Sequence, residues 1–466
     1  MNTPDWRDVR IAELESLLAK AMDTIDRLSK EVEALKARLN RNSSNSSKPP
    51  SSDPPWLKKD GGSKGGKRGG QDGHDKKVRA LVPEDEVTYL TQLTPCSCGK
   101  CGGKLVERGL PPKRHQVVDL PPIEPIVNEY QLFSGWCAAC QHLTRAELPA
   151  EVPRGGFGPG VIATTVLLTG KYRLSKRSVV EVLRDLFNIQ ICLGSVSKLE
   201  SMMSDALAEP MREAEDYVRA QPAVNCDETG WREDKKKAWL WTAVTALVTV
   251  YRIASTRGSE VVKEMLGSET QALVGSDRFG AYTWLGVWLR QLCWAHLCRD
   301  FKRIEESGGN TGQIGKELLR LTRLFFKWWH KARDGTMTRE EFQDRMIPIK
   351  LQVSALLWEL KLEGKEQMRG LATRLLNLEP AMWTFVRNKG IEPTNNAAER
   401  ALRHAVIWRK SSFGTDSKTG SRFVERILTA SATLRQQNRN LLAYLTEACD
   451  ASLKGEPSPS LLPQLG

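Results

Sequence analysis

The chain has 466 residues, with 69 Lys and Arg against 56 Asp and Glu, a formal net charge of +13. At 40% hydrophobic residues it can build a sizeable core, which excludes wholesale disorder, and its length suits about three or four structural units. The longest apolar stretch, Ala238 to Tyr251, is short and broken by threonines, which excludes a bilayer-spanning helix.

The opening Met-Asn-Thr-Pro-Asp lacks a basic start followed by an apolar run, so no signal peptide is expected, and a cytoplasmic protein without a membrane partner is. In a reducing compartment ten cysteines point to metal or buried thiols before disulfides. The basic excess favours a polyanionic partner, with nucleic acid first.

Residues 1–40 carry the clearest periodicity. Ile11, Leu14, Leu18, Ala21, Ile25, Leu28, Val32, Leu35 and Leu39 recur in steps of three and four, the a/d seam of a coiled-coil zipper. Ile, Leu and Val at a with Leu at d favour a parallel dimer, in which Glu31 and Lys36 can pair across the seam. The competing expectation is one amphipathic helix packed on its own protein. Residues 41–80 form a linker. Asn42 to Asp53 is Asn-, Ser- and Pro-rich and cannot build a core, and Lys58 to Lys77 is a Gly- and Lys-rich basic tether.

Residues 81–152 hold two Cys-x-x-Cys turns, Cys98/Cys101 and Cys137/Cys140. The spacing lets both sulfurs of a turn face one ion, so the four thiolates predict a structural zinc ribbon. Gln116 to Leu120 and Ile126 to Phe133 read as its strands. Cys96 is a possible competitor for Cys98, and His115 and His142 read as bystanders. Residues 153–220 turn helical, with helices over Val161 to Leu168, Ser178 to Phe187 and Ser195 to Ala206. Ser175 and Ser195 suit N-caps, and Gly194-Ser195 resembles a helix-turn-helix connection, although a plain helical spacer fits equally well.

From 221 to 306 the pattern is β-β-β-α-β-α-β-α, which means one sheet with helices on its faces. A short strand, Ala223 to Asp227, ends in an acid. Strands over Ala238 to Ala246 and Val248 to Ala254, a helix over Gly258 to Leu266, a strand from Gln271 to Asp277 and a strand from Arg290 to Trp294 follow. Residues 307–390 are a helical insertion. Residues 391–452 return with Pro393 to Arg400, a helix carrying Arg403, a basic loop with Arg409, Lys410, Lys418, Arg422 and Arg426, and a last helix. Residues 453–466 form a Pro/Ser-rich tail expected to be disordered.

Asp227 and Asp277 each end a strand, and Glu399 lies in the first turn of a helix. Two carboxylates at strand ends of one sheet, with a third from a helix packed across it, can share Mg²⁺ or Mn²⁺. Taken singly, the two aspartates read as turn residues and Glu399 as part of a capping box with Asn396. Glu228 and Asp234 are the alternatives to Asp227; Glu228 faces away from it if the strand continues. His296 reads either as a polar group beside a scissile phosphate or as a hydrogen-bonded core histidine.

The ordered set of motifs resembles the transposases of insertion-sequence family 66, which belong to the DDE superfamily with a ribonuclease-H-like catalytic fold. The pieces are the zipper, Asn42 to Asp53, Gly69 to Gln71, the two Cys-x-x-Cys turns, Asp227-Glu-Thr-Gly-Trp231, Ser276-Asp277 with Tyr282, Cys293-Trp-Ala-His296, and Asn395 to Arg400 with Arg409-Lys410. The resemblance implies a catalytic triad of Asp227, Asp277 and Glu399 with His296, Arg400 and Arg403 nearby, DNA contact by Arg409 and Lys410, and an α/β mixed-sheet core interrupted by a helical insertion. It implies a transposase that binds element ends and target DNA at the bacterial nucleoid, self-associates through the zipper, and works with or without accessory element-encoded proteins. The reading of a different class is a non-catalytic, zipper-dimerised DNA-binding protein on a degenerate scaffold.

Overall fold

The computed structural model describes residues 6–42, 45–48, 53, 80–106, 109, 111–149 and 152–463. The basic tether from Lys58 to Lys77, with its Gly69 to Gln71 motif, lies outside them. The chain divides into two compact units, 59–125 and the remainder, 1–58 with 126–466.

Among the described residues of the smaller unit the local structure is a 3₁₀ turn at Glu84–Glu86 and a tight turn through Cys98 to Cys101. Gln116 clamps Val82, accepting from its N–H at 2.9 Å and donating to its carbonyl at 2.8 Å, and Arg114 donates to the same carbonyl at 2.7 Å. The expected strands Gln116–Leu120 and Ile126–Phe133 form no regular strand; only Phe133, at the end of the second, accepts a backbone hydrogen bond, from Ala146 N–H at 2.9 Å. In the larger unit, pairing begins at β1 (Ser134–Trp136), which runs antiparallel to β2 (Leu143–Arg145) and brackets the second Cys-x-x-Cys turn.

α1 (Trp6–Leu39) is a single 34-residue helix. Its seam residues Ile11, Leu18, Ile25, Leu28 and Leu35 are all exposed, so the helix does not fold back on its own chain through that face. α2 (Pro159–Val166) continues as a π turn over Leu167–Lys171. α3 (Lys176–Phe187) starts where Ser175 accepts from Ser178 N–H, as its N-cap role requires. α4 (Leu193–Ala206) begins two residues before Ser195, with Cys192 at the N-cap, which corrects the expected cap. α5 (Ala208–Arg219) is a further helix that the sequence reading did not name; only Leu207 separates it from α4.

The main sheet contains β3 (Ala223–Glu233), β4 (Lys236–Val244), β5 (Thr249–Ala254), β6 (Leu273–Ser276) and β7 (Arg290–Leu292), in the order β5-β4-β3-β6-β7. β3, β4 and β5 form an antiparallel meander, and β6 and β7 add in parallel. α6 (Ser259–Leu266) makes the crossover from β5 to β6. The helix expected between β6 and β7 is replaced by two 3₁₀ turns, Gly280–Tyr282 and Val287–Leu289. β3 does not stop at Asp227. It continues into a hairpin whose central residues Asp234 and Lys235 have φ of 49° and 61°, the signature of a type I′ turn made here without glycine.

α7 (Trp294–Glu306) leads into the helical segment: α8 (Gly309–Arg333), α9 (Arg339–Glu363), α10 (Glu366–Asn377) and the single turns α11 (Glu379–Met382) and α12 (Thr384–Arg387). These share an apolar core around Trp294, Phe301, Phe325, Trp383 and Phe385. A Cβ at Gly315 would collide with the backbone of Ile304 and Glu305, so this glycine lets α8 lie directly against α7.

α13 (Asn396–Ser412), α14 (Lys418–Gln436) and α15 (Leu441–Lys454) complete the chain. Arg409 and Lys410 therefore end a helix, and Arg422 and Arg426 lie on the next one, where a basic loop was expected. Only 413–417 is loop. There Gly414, at φ 124°, passes so close to the Arg232 carbonyl that no side chain fits. α14 and α15 share one core with α2–α5 and the sheet. The Pro/Ser-rich tail is ordered as far as 463. Leu461 is buried, Ser460 donates to Glu213 at 2.6 Å, and Tyr444 donates to the Pro459 carbonyl at 2.7 Å. Its composition hid one apolar anchor among residues that bond mainly through their backbone.

Candidate active site

The register of two strands sets the first two acids. Asn225 of β3 pairs with Gly275 of β6 in the parallel ladder. Two residues further along each chain come Asp227 and Asp277, at matching heights on neighbouring strands. Asp277 turns out of the sheet and accepts from Phe279 N–H at 2.8 Å, an Asx-type turn that fixes its carboxylate. Asp227 accepts from Glu228 N–H at 2.9 Å.

The third acid comes from α13, which packs Ala398, Ala401, Leu402 and Ala405 on Trp231, Ala238 and Leu240 of the hairpin. The alanines allow close approach and leave Glu399 at the sheet–helix junction. Asn395, at the N-cap, does not cap its own helix. Its side-chain amide donates to the Cys226 carbonyl at 2.8 Å, next to Asp227, and its backbone N–H reaches Cys293 Sγ at 3.2 Å. One residue thus ties β3, the start of α7 and the start of α13 together.

Cys293 and His296 lie one turn apart at the start of α7, on the same face. His296 Nδ1 is 3.6 Å from Glu399 Oε1, too far for a hydrogen bond, and both atoms are buried without a partner. His296 therefore matches neither expectation fully: it is not a satisfied core histidine, and it lines an open cleft of about 370 Å³ with Asp277, Arg278, Arg299 and Ser47. Burial, followed by the Arg299 charge, lowers its pKa to about 4, so the ring is neutral at pH 7.

Asp227 is pushed up to about 8, first by burial, then by the charge of Glu228, with Asp277 and Glu399 adding to the effect. The three sequence-predicted acids therefore feel one another. The donor set is acid-rich, partly dehydrated and carries a carboxylate oxygen without a partner. That suits a hard divalent cation, which prefers oxygen and would relieve the repulsion. Cys293, Nδ1 or Nε2 of His296, and Glu399 could also converge on an ion. Burial raises the Cys293 thiol, however, and its sulfur already accepts from Asn395, so it serves the scaffold better than a metal.

Glu228 is the residue the sequence reading undervalued. It points away from Asp227 as alternation requires, but its side chain is buried against Arg257, at 2.5 Å, and Tyr282 Oη, at 3.2 Å. Arg257 in turn stacks over Phe279 at 3.6 Å and Trp239 at 4.6 Å. Asp234 sits exposed in the hairpin turn. Arg400, Arg403 and Lys410 are exposed along α13. Arg409 is not available in the same way, because its guanidinium donates to the Gly230 carbonyl and to Thr229 Oγ1. The N-terminal Asn/Ser motif reaches this neighbourhood as well. Ser47 donates through N–H and Oγ to the Glu306 carboxylate at 2.7 and 2.9 Å.

The two Cys-x-x-Cys turns lie in different units, and each has the local geometry of a metal knuckle. Cys98 N–H donates to the Gly103 carbonyl at 3.0 Å, and Cys137 N–H to the His142 carbonyl at 2.9 Å. Backbone N–H groups of Lys100 and Cys101 lower the Cys98 thiol, and those of Cys140 and Ala139, with the Cys140 thiol, lower Cys137. Thiols so placed are ready to ionise.

Among known proteins, residues 95–141 match the zinc-finger binding domain of transposase IS66, and residues 1–80 match a family of unknown function. The chain is 24% identical over 349 residues to the uncharacterized protein y4qI of Sinorhizobium fredii, covering 69% of this chain and 62% of that protein. The match to the Transposase IS66 family runs from 154 to 422, more than half the chain, and includes all three acids, so the protein belongs to the IS66 transposase family.

Proposed function

We propose that the protein is a DNA transposase that binds the ends of a mobile element and carries out metal-dependent DNA cleavage and strand transfer through Asp227, Asp277 and Glu399. The observation that carries this reading is the junction itself. Two acids each follow a paired position of neighbouring parallel strands by two residues, and a third on α13, with a buried carboxylate oxygen that has no partner among the described residues, lies near enough for its charge to act on Asp227. The strand order, an antiparallel meander followed by two parallel strands, supports a ribonuclease-H-like scaffold.

A pair of divalent cations at such a site supplies an activated oxygen nucleophile and neutralises the scissile phosphate and its leaving oxygen. Asp227 and Asp277 would hold these ligand positions from the rigid sheet, and Glu399 from the helix. Asp227, protonated well into the neutral range when alone, gives up its proton as positive charge enters the site. Neutral His296, beside Glu399, adds no positive charge that would compete with a cation there. Arg299, free of ion pairs among the described residues, lines the cleft beside Asp277 and attracts the phosphodiester chain. The zinc-finger match supports a structural zinc, for which Cys98, Cys101, Cys137 and Cys140 are the candidate ligands, and the exposed seam of α1 supports association of copies of the chain.

The test is strand transfer in vitro with DNA carrying the flanking ends of the gene, purified protein and Mg²⁺ or Mn²⁺. The parent protein yields joined products. Asp277→Asn keeps its shape, binds the same DNA and yields none, a loss of at least about a thousandfold for a metal-assisted step. Parent-level joining by Asp277→Asn removes the triad from the mechanism.

A further inference from the structure

Three elements bring five basic residues to one place away from the acids. Lys171 and Arg173 lie at and just after the π turn that ends α2, Arg403 and His404 on α13, and Arg435 at the end of α14. His404 is held between two guanidiniums: Arg173 Nη1 lies 3.3 Å from its Nδ1 and Arg435 Nη1 lies 2.7 Å from its Nε2. A neutral imidazole accepts a hydrogen bond at one nitrogen only, and a protonated one at neither. At least one of these contacts therefore sets donor against donor. The groups that act on Lys171 and His404 are cations alone: Arg435 and Arg173 on both, with Lys171 and Arg403 also acting on His404. No Asp or Glu forms an ion pair with any of the five among the described residues. Burial, then the Arg435 charge, pushes Lys171 down, and the same causes in the same order bring His404 to about 4.

Proteins seldom gather like charges around an acceptor-poor centre unless an anion completes it. Arg403 and Arg435 are exposed while Lys171, Arg173 and His404 are half-buried, so the cluster opens to solvent on one side. His404 follows Glu399 by five residues on the same helix, roughly 7 Å along its axis and roughly 140° around it, so a strand held at His404 crosses α13 on its way to the acids.

We propose that Lys171, Arg173, His404 and Arg435, with Arg403 at the rim, form a backbone-phosphate site for the DNA strand that enters the catalytic junction. Phosphate oxygens accept from both guanidiniums at once, which removes the donor–donor conflict at His404 and anchors the strand on the helix that carries Glu399. The inference rests on the reading of the protein as a DNA-acting enzyme, but it concerns binding alone.

The experiment measures binding of the full chain to a labelled 30-base-pair duplex in EDTA across a salt series, so that no cleavage is needed. Arg173→Gln/Arg435→Gln should flatten the dependence of log K on log salt by roughly two units, and Arg435→Gln alone by roughly one. Arg173→Lys/Arg435→Lys should keep most of the slope. The control Arg320→Gln/Arg333→Gln, on the exposed face of α8, should leave it unchanged. Thermal unfolding checks that the variants fold, and the single exposed-site variant Arg435→Gln decides the matter if the double variant does not. An unchanged slope in Arg435→Gln, or an equal loss in the control, overturns the site while leaving the catalytic reading intact. A thermal shift with inorganic phosphate at constant ionic strength, lost in Arg435→Gln but without any change in DNA slope, reduces the site to free-anion binding and overturns the DNA assignment. Loss of joining in Asp277→Asn has no bearing on any of these outcomes.

Discussion

Asn395 illustrates how much of this site hangs on single polar groups. Its amide satisfies the Cys226 carbonyl, and its own N–H meets a buried thiol. Removing the side chain leaves a buried carbonyl without a donor beside Asp227. Asn395→Ala should cost about 1–3 kcal/mol in unfolding free energy, by denaturant titration. It should also lose joining activity beyond that cost, because Glu399 begins one helical turn after it. Unchanged stability and activity in this variant would show that the side chain does not hold the junction. His404 gives a prediction in pH. Its pKa falls from 6.5 in the unfolded chain to about 4 in the fold. Between those values the unfolded state binds the extra proton, so stability is full above about pH 6.5 and is lost as pH falls towards 4. The ring is only partly buried, so the effect is on the order of 1 kcal/mol after solvent screening. Comparing thermal unfolding of the parent with His404→Gln at pH 7 and pH 4.5 checks it: the gap between the two proteins should narrow or reverse in acid. His296, also lowered to about 4, contributes equally to both proteins and cancels.

At the scale of the element, what sequence could read depended on whether one chain segment carried its own signal. The element order with one crossover allowed β3 and β6 to be neighbours, as they are, and the start of α3 followed from Ser175. The length of β3 did not: Asp227 was expected to end a strand, and the hairpin turn at Asp234-Lys235 has no glycine to announce it. The helix expected between β6 and β7 failed because the apolar residues Tyr282, Leu285 and Val287 serve two tight turns. The candidate acids drew attention through their motifs. Asn395, Cys293, Glu228 and Tyr282 fell inside recognised motifs, but the contacts they make, and Arg257, were not legible, because the partners lie between 29 and 169 residues away. The same limit applies to the cysteine knuckles, whose turns are local and whose ion is not. One zinc per chain is expected, with Zn–S near 2.3 Å. Elemental analysis of reduced, purified protein should find one equivalent, falling towards zero in Cys137→Ser. Full zinc in that variant would move the site to other ligands.

At the scale of the whole molecule, α1 stands apart from the core. Its 34 residues span about 50 Å. Ile25 and Leu18, near its middle, are 63% and 62% exposed in the single chain. Each such side chain buried against a partner would contribute about 1.5–3 kcal/mol. A strict seam of Ile, Leu and Val at one face, left uncovered, is the pattern a parallel two-stranded coil consumes. No helix among the described residues is long and apolar enough to cross a membrane. Ser47, eight residues beyond its end, is bonded to Glu306 at the foot of α7, so a zipper formed by α1 would be tied directly to the element that carries His296. We therefore expect the parent protein to sediment as a dimer or a higher assembly. Leu28→Pro removes a helical hydrogen bond and clashes with the preceding turn, at a cost of about 3 kcal/mol or more. It should shift the protein to monomer without lowering the unfolding temperature of the core. If the variant keeps the parent's sedimentation, assembly uses another surface. If both are monomers, the seam serves a different helix. If the variant is monomeric and still joins DNA ends at the parent rate, the zipper is dispensable for the chemistry and serves only to bring two chains to one pair of ends.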